Sequence, residues 1–208
     1  MKAIYEFLEN SAKSYPKKNA LILGSESISY FELLEKTNAL SHHLQNIIKV
    51  GDIVSLLSEN SINFIISYFG IMKAGGIVHI APSQTADKQL NYQFKKTKTK
   101  LILCSKKMKN KAIRTKNEGS LIVEIDTYEF LKEINPNLYK NRFNEISSIV
   151  FTSGTTGIPK GVIIKHKNVI IATENIVNVV QITKDDIEIN PLQLSHSFGL
   201  GCIHAIFS

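Results

Sequence analysis

The sequence predicts an α/β fold built on a mainly parallel β-sheet with flanking helices, and three observations carry that prediction. Short apolar runs, DIVSLL, IVHIAP and LILC, have the length of buried strands. Stretches with apolar residues at helical spacing separate them. Strands alternating with helical stretches of this length imply βαβ units, whose crossovers make neighbouring strands parallel.

Residues 2–14 carry Ile4, Phe7, Leu8 and Ala12 at helical spacing, and the pattern stops before Pro16. ALILGSESISY then reads as two short strands around a polar turn at 25–27. From Phe31, the apolar positions Phe31, Leu34, Leu40, Leu44, Ile47 and Ile48 predict a second helix ending near the Gly51-Asp52 turn. DIVSLL follows as a buried strand, and Asn60 or Ser61 is placed to cap the helix INFIISYFGIMKA. Gly75-Gly76 ends that helix and IVHIAP is the next strand. A helix over 86–94, strand LILC, a basic helix or loop, and strand LIVEI continue the alternation. Residues 132–144 are polar, contain a proline and read as a surface connection. The apolar segment SFGLGCIHAIFS still has the pattern of an element at Ser208, which suggests a chain cut short.

With 208 residues, 43% of them hydrophobic, the chain can bury an ordinary core as one domain or two closely packed subdomains. No apolar run reaches the roughly 18 to 20 residues of a membrane span, and the acidic, interrupted N-terminus is unlike a signal peptide. Cys104 and Cys202 lie far apart, outside any metal-ligand spacing, and fit reduced thiols in a cytoplasmic protein.

The net charge of +7 is concentrated. Ten basic residues and no acidic ones lie between Lys95 and Lys116; the rest of the chain has 15 basic against 18 acidic residues. Such a stretch is either a solvated face or a docking surface for an acidic partner: nucleic acid, coenzyme A or an acyl carrier protein. No nucleic-acid motif accompanies it, so specific nucleic-acid binding is not expected.

The strongest chemical signal is SSIVFTSGTTGIPKGVIIKHKNV, residues 147–169. Apolar residues 149–151 form a strand, a strand-like pattern resumes at Gly161, and a hydroxyl- and glycine-rich loop lies between. Gly154 and Gly157 let backbone amides approach phosphate oxygens closely. The hydroxyls of Thr152, Ser153, Thr155 and Thr156 can donate to those oxygens, and Lys160 adds a mobile positive charge for a leaving pyrophosphate. Pro159 restricts the loop just before that lysine. The loop is not a Walker motif, because Lys160 sits between Pro159 and Gly161 and leads into a strand. Nor does it carry the G-x-G-x-x-G spacing of a dinucleotide fingerprint.

TSGTTGIPKG resembles the signature of the adenylate-forming (AMP-binding) superfamily, which includes acyl-CoA synthetases, acyl-AMP and acyl-carrier-protein ligases, peptide-synthetase adenylation domains and luciferases. ISYFELLEKTNALSHHL (28–44) and NFIISYFGIMKAGGIVHIAPSQ (63–84) are similar to that family's earlier segments, in the right order. There Lys73, Gly75, Gly76 and Pro82 fit packing and tight turns. LQLSHSFGLG (192–201) is similar to its next motif, with Gln193 in place of the usual proline and a proline at 191 instead. By this resemblance the chain is the first part of the large N-terminal domain of adenylate-forming enzymes, with subdomain breaks near 50–75 and 145–190. The remainder of that domain and the small C-terminal lid domain lie outside it.

The resemblance implies ATP and Mg2+ as cofactors and a small carboxylic acid as substrate, with coenzyme A or carrier-bound phosphopantetheine as acceptor. It implies that residues 152–157 and Lys160 bind the phosphates, the metal arriving with them near Thr155 or Thr156, while His196 faces the acid's carboxylate. The reaction implied is formation of an acyl-adenylate with release of pyrophosphate, the isolated piece not being expected to turn over. The competing expectation is a non-catalytic nucleotide-binding or scaffold remnant of a degenerate or split gene. His42, His43, His79, His166 and His204 lack a motif context and read as structural or solvated, with His166 placed to cap or brace the next helix.

Overall fold

The computed structural model describes residues 2–127, 141–152 and 158–208. Helix α1 (Tyr5–Ser14) buries Tyr5, Phe7, Leu8 and Ala12, the face its spacing predicts. An antiparallel ribbon of β1 (Asn19–Leu23) and β2 (Glu26–Ser29) follows. Its turn is Gly24-Ser25, earlier than the expected 25–27, because Gly24 supplies the positive φ of +61° that the reversal needs.

Helix α2 (Tyr30–Gln45) opens on a capping box that the Ser29-x-x-Glu32 spacing already spelled out. The Ser29 hydroxyl accepts from the Glu32 N–H at 3.2 Å, and the Glu32 carboxylate accepts from the Ser29 N–H at 2.9 Å. This start sets the helical phase and corrects the predicted face. Leu33, Thr37, Leu40 and Leu44 point inward, whereas Phe31 is 55% exposed. Ile47 and Ile48 fall beyond the helix, in the turn leading to Gly51.

The main sheet has the order β6-β5-β3-β4-β7-β8. It is built from β3 (Ile53–Leu57), β4 (Ile77–Ile80), β5 (Leu101–Cys104), β6 (Leu121–Glu124), β7 (Ile146–Thr152) and β8 (Lys160–Lys165). Every neighbouring pair is parallel except β7 with β8. The connecting helices are α3 (Ile62–Lys73), α4 (Asp87–Thr97) and α5 (Lys109–Thr115), the last entered through a 3-10 turn at Lys106–Met108. Helices α6 (His166–Val180) and α7 (Ser197–Phe207) complete the described chain.

Two apolar clusters fill the spaces between layers. The larger gathers residues of α1, α2, α3 and α7 with Val54, Leu56, Val78 and Ile80 of the sheet. Helix α3 is buried on all sides, which explains why its sequence is apolar throughout. The smaller cluster, with Leu90, Phe94 and Ala112 of α4 and α5, packs on Ile102 and Cys104. Cys104 and Cys202 are free, and burial first of all pushes both thiols up to about 11. No helix of the described residues is long and apolar enough to cross a membrane.

Several buried polar groups are paired across the core. Ser55 on β3 bonds both His79 Nδ1 at 2.8 Å and Thr99 at 2.7 Å. His204 Nε2 meets the Tyr68 hydroxyl at 3.1 Å, and His166 Nδ1 accepts the Ile4 N–H at 3.1 Å. His166 thus braces α1 and provides no side-chain cap for α6. Lys73, 3% exposed, reaches Glu9 at 2.6 Å.

The basic stretch is divided by its own strand. Lys95, Lys96, Lys98 and Lys100 precede β5, while Lys106, Lys107 and Lys109 follow it, so strand β5, on the order of 10 Å long, keeps them at opposite ends of the sheet. Three members are also ion-paired: Lys107 with Glu59 at 3.4 Å, Lys109 with Glu124 at 3.2 Å, and Arg114 with Asp87 at 3.0 Å.

Two stability predictions result. Gly24 and Gly75 both have positive φ, but a Cβ at Gly24 meets nothing within 4 Å whereas one at Gly75 lies 2.9 Å from Arg142 Cβ and 3.0 Å from Val50. Gly24→Ala therefore costs about 1 to 2 kcal/mol of backbone strain, and Gly75→Ala costs about 1 to 3 kcal/mol more through crowding; urea denaturation of both variants measures the difference. Burial pushes His79, His166 and His204 down to about 4 from the usual 6.5. Between those values the unfolded chain binds more protons than the folded one, so stability falls as pH is lowered from 6.5 towards 4. Denaturation midpoints across that range should drop steadily, and His204→Gln should flatten the drop.

Candidate functional site

Parallel pairing brings the ends of non-adjacent segments into one row. Leu56 of β3 pairs with Ile80 of β4, which pairs with Val150 of β7. Two residues beyond that row lie Ser58, Pro82 and Thr152, all at the C-terminal edge of the sheet. Strand β8 turns back antiparallel, and its first residue, Lys160, pairs directly with Thr152. Thr152 and Lys160 are thus the two posts of the loop between them. Ser153, Gly154, Thr155, Thr156 and Gly157, the centre of the predicted phosphate loop, lie outside the described residues. The strand pairing brings Lys160 back beside Thr152 at this edge.

This edge is also where the chain order of the strands reverses direction. From β3 the chain moves to β4 on one side, and from β5 it moves to β6 on the other. A crevice at the C-terminal ends of such strands is the usual ligand position in open α/β sheets. Here it is a polar cleft of about 600 Å³ between the loops after β3 and β5, lined by Ser58, Asn60, Ser105 and Lys106. A smaller one of about 340 Å³ extends it past Ser83 and Gln84 to Gln193 and Ser195. Burial alone would raise the pKa of Glu59 in this cleft, but the Ser105 hydroxyl, donating at 2.6 Å, together with Lys107, outweighs it and holds the carboxyl below its ordinary value.

His196 arrives from elsewhere. It is exposed, with φ −104° and ψ 146°, and immediately precedes α7. No side chain caps that helix, and its first-turn N–H groups leave a positive partial charge beside the imidazole. The loop carrying His196 is held to the sheet edge by Asn60. Asn60 Nδ2 donates to the Leu192 carbonyl at 2.7 Å, and Asn60 Oδ1 accepts from the Leu194 N–H at 2.9 Å. Ser61, not Asn60, caps α3, accepting from Phe64 N–H at 3.0 Å. Gly199 lets the loop lie against α7, since a Cβ there would sit 2.4 Å from the Gln193 carbonyl.

Sequence reasoning singled out Thr152, Lys160 and His196 and gave no place in the site to Asn60 or Gly199. The signal for Asn60 was faint: two adjacent residues able to cap one helix leave one side chain free for another use. Beyond His196, an apolar trough of about 840 Å³ runs between α6, α7 and the sheet, with Phe198 75% exposed at its border. Among the described residues, no group of three or more histidine, cysteine, aspartate and glutamate side chains could hold a metal ion.

A family model for AMP-binding enzymes matches residues 8–208. The chain is 32% identical to bacitracin synthase 1 of Bacillus licheniformis over 213 residues, covering 99% of this chain and 4% of that protein. It is 29% identical to gramicidin S synthase 2 of Brevibacillus brevis over 172 residues, covering 81% of this chain and 4% of that protein. Among solved structures, VinN in complex with 3-methylaspartate superposes with a TM-score of 0.89 at 19% identity, covering 99% of this chain and 59% of that one. The o-succinylbenzoate CoA synthetase of Bacillus subtilis, bound to its acyl-adenylate intermediate, gives 0.80 at 20% identity, covering 97% and 53%. At those identities the structures speak for the fold, and the chain spans only a small part of the curated relatives. With a family match over nearly all its length, the chain belongs to the AMP-binding enzyme family.

Proposed function

We propose that the protein carrying this segment activates a carboxylic acid with ATP. A carboxylate oxygen attacks the α-phosphorus, the bond from that phosphorus to the bridging oxygen of the β-phosphate breaks, and acyl-adenylate and pyrophosphate form. The observation that carries this reading is the shared sheet edge of Thr152, Lys160 and the His196 loop. Such a reaction gains from positioning and charge neutralisation rather than from covalent participation of the protein.

In this reading Thr152, Ser153, Gly154, Thr155, Thr156, Gly157 and Lys160 hold the β- and γ-phosphates. Lys160 stabilises the charge accumulating on pyrophosphate. His196, aided by the open N-terminus of α7, orients the acid's carboxylate. ATP brings its magnesium to the loop near Thr155 or Thr156. The described residues offer no carboxylate cluster for the metal. The acyl group then passes to a thiol of coenzyme A or carrier-bound phosphopantetheine. The names of the relatives, peptide synthetases on one side and a CoA synthetase on the other, support both acceptors. Lys106, Lys107 and Lys109 lie at the same edge, where an anionic acceptor would approach.

Acid-dependent exchange of labelled pyrophosphate into ATP by the full-length protein tests the reading. Lys160→Ala should lower that exchange about 100-fold, and His196→Ala should raise the acid's KM about tenfold. ATP binding without exchange for any acid in a broad panel would sink the proposal and favour a nucleotide-binding or scaffold protein.

A further inference from the structure

We propose that Asn60 is a positioning residue for His196: it sets the loop that presents the imidazole and makes no contact with the reacting groups itself. This inference rests on the function proposed above. Residues 190–196 form neither helix nor strand, so their path is set by individual bonds. Most of these are local. Asn190 Nδ2 donates to the Gly199 carbonyl at 2.9 Å, its Oδ1 accepts from Leu192 N–H at 3.1 Å, and His196 N–H donates to the Gln193 carbonyl at 3.0 Å. They shape the loop as a unit with the start of α7 but do not tie it to the sheet.

Among the described residues, Asn60 alone hydrogen-bonds this loop from outside the 190–208 segment, and it does so from 132 and 134 positions away. Its planar amide offers one donor and one acceptor together, so it pairs with the Leu192 carbonyl and the Leu194 N–H as a neighbouring strand would. Buried Leu194 pins the loop from below while the amide fixes its height and direction. Two residues further on, His196 takes its position from this join.

The base of the join is rigid. Asn60 stands three residues beyond β3, a central strand buried from Val54 to Leu57. The same strand end faces the cleft bounded by Ser58, Asn60, Lys107 and Gln193. Two bonds therefore couple the histidine to the sheet edge that also carries Thr152 and Lys160. Asn60 is itself exposed, and Ser61 caps α3 without it. Removing its amide frees the loop without opening the core or uncapping a helix.

The test uses pyrophosphate exchange by the full-length protein with the acid that gives the best exchange, together with hydrogen exchange at the Leu194 amide. Asn60→Ala should raise the acid's KM about tenfold, leave the KM for ATP within about twofold, and speed exchange at Leu194. Asn60→Asp should behave alike, because its carboxylate has no proton to donate and would oppose the Leu192 carbonyl. In a His196→Ala background, Asn60→Ala should add less than about a twofold change, since the group it positions is gone. An equal loss in both backgrounds, or a parallel rise in the KM for ATP, would show a general structural role and overturn the proposal. A His196→Ala variant with unchanged acid KM would remove the functional reading instead. In that event faster Leu194 exchange in Asn60→Ala would preserve the loop-setting role, and unchanged exchange would end it.

Discussion

Parallel pairing of β3, β4 and β7 in one register is the constraint on which the rest of the molecule depends. A parallel pair cannot be joined by a tight turn, so β3, β4 and β5 are each followed by a helix, and the parallel strands all end at the same edge. Loops that leave those ends gather there whatever their separation in sequence. That is how Ser58, Pro82 and Thr152 come to one row, although 94 residues separate the first from the last. Slipping β7 by one residue would turn its side chains to the opposite face and carry the Thr152–Lys160 posts out of line. The antiparallel return of β8 uses the same edge, setting Lys160 beside Thr152 at the end of β7.

The rigidity of that edge comes from the interior behind it. Helix α3, apolar on every side, is wedged between α2 and the sheet, and Gly70 allows α2 to approach so closely that a Cβ would lie 2.9 Å from Leu40. Some polar groups inside this packing are bonded to one another, as Ser55 of β3 is to His79 Nδ1 of β4 and to Thr99 just before β5. Such networks specify one arrangement of strands, because a shifted register would leave several of their members unpaired. The Lys73–Glu9 pair ties the end of α3 to α1.

Charge obeys the architecture as well. In sequence the basic stretch from Lys95 to Lys116 is a single block, but β5 runs through its middle and separates its halves. Only the half after β5 shares an edge with the candidate site, and there Lys107 and Lys109 are already met by Glu59 and Glu124. Solvated positive charge near the site is correspondingly smaller than the composition suggests.

Much of this was legible beforehand. The apolar runs marked the strands, because a four- or five-residue stretch buried on both faces must be largely apolar. The glycine- and hydroxyl-rich string from Thr152 to Lys160 suggested a phosphate loop, because its chemistry is local and its residues are consecutive. The Ser29–Glu32 capping box was equally local, and overlooking it misjudged the phase of α2. The sequence by itself thus determined the α/β class, the strands and the family, together with Thr152, Lys160 and His196 as the residues to watch. Tertiary structure alone decided that His196 hangs from Asn60, that Gly199 must lack a side chain, and that the basic block is split. Each of those depends on which backbone lies within a few ångströms of which, and that proximity is set by strand order and register rather than by neighbours along the chain.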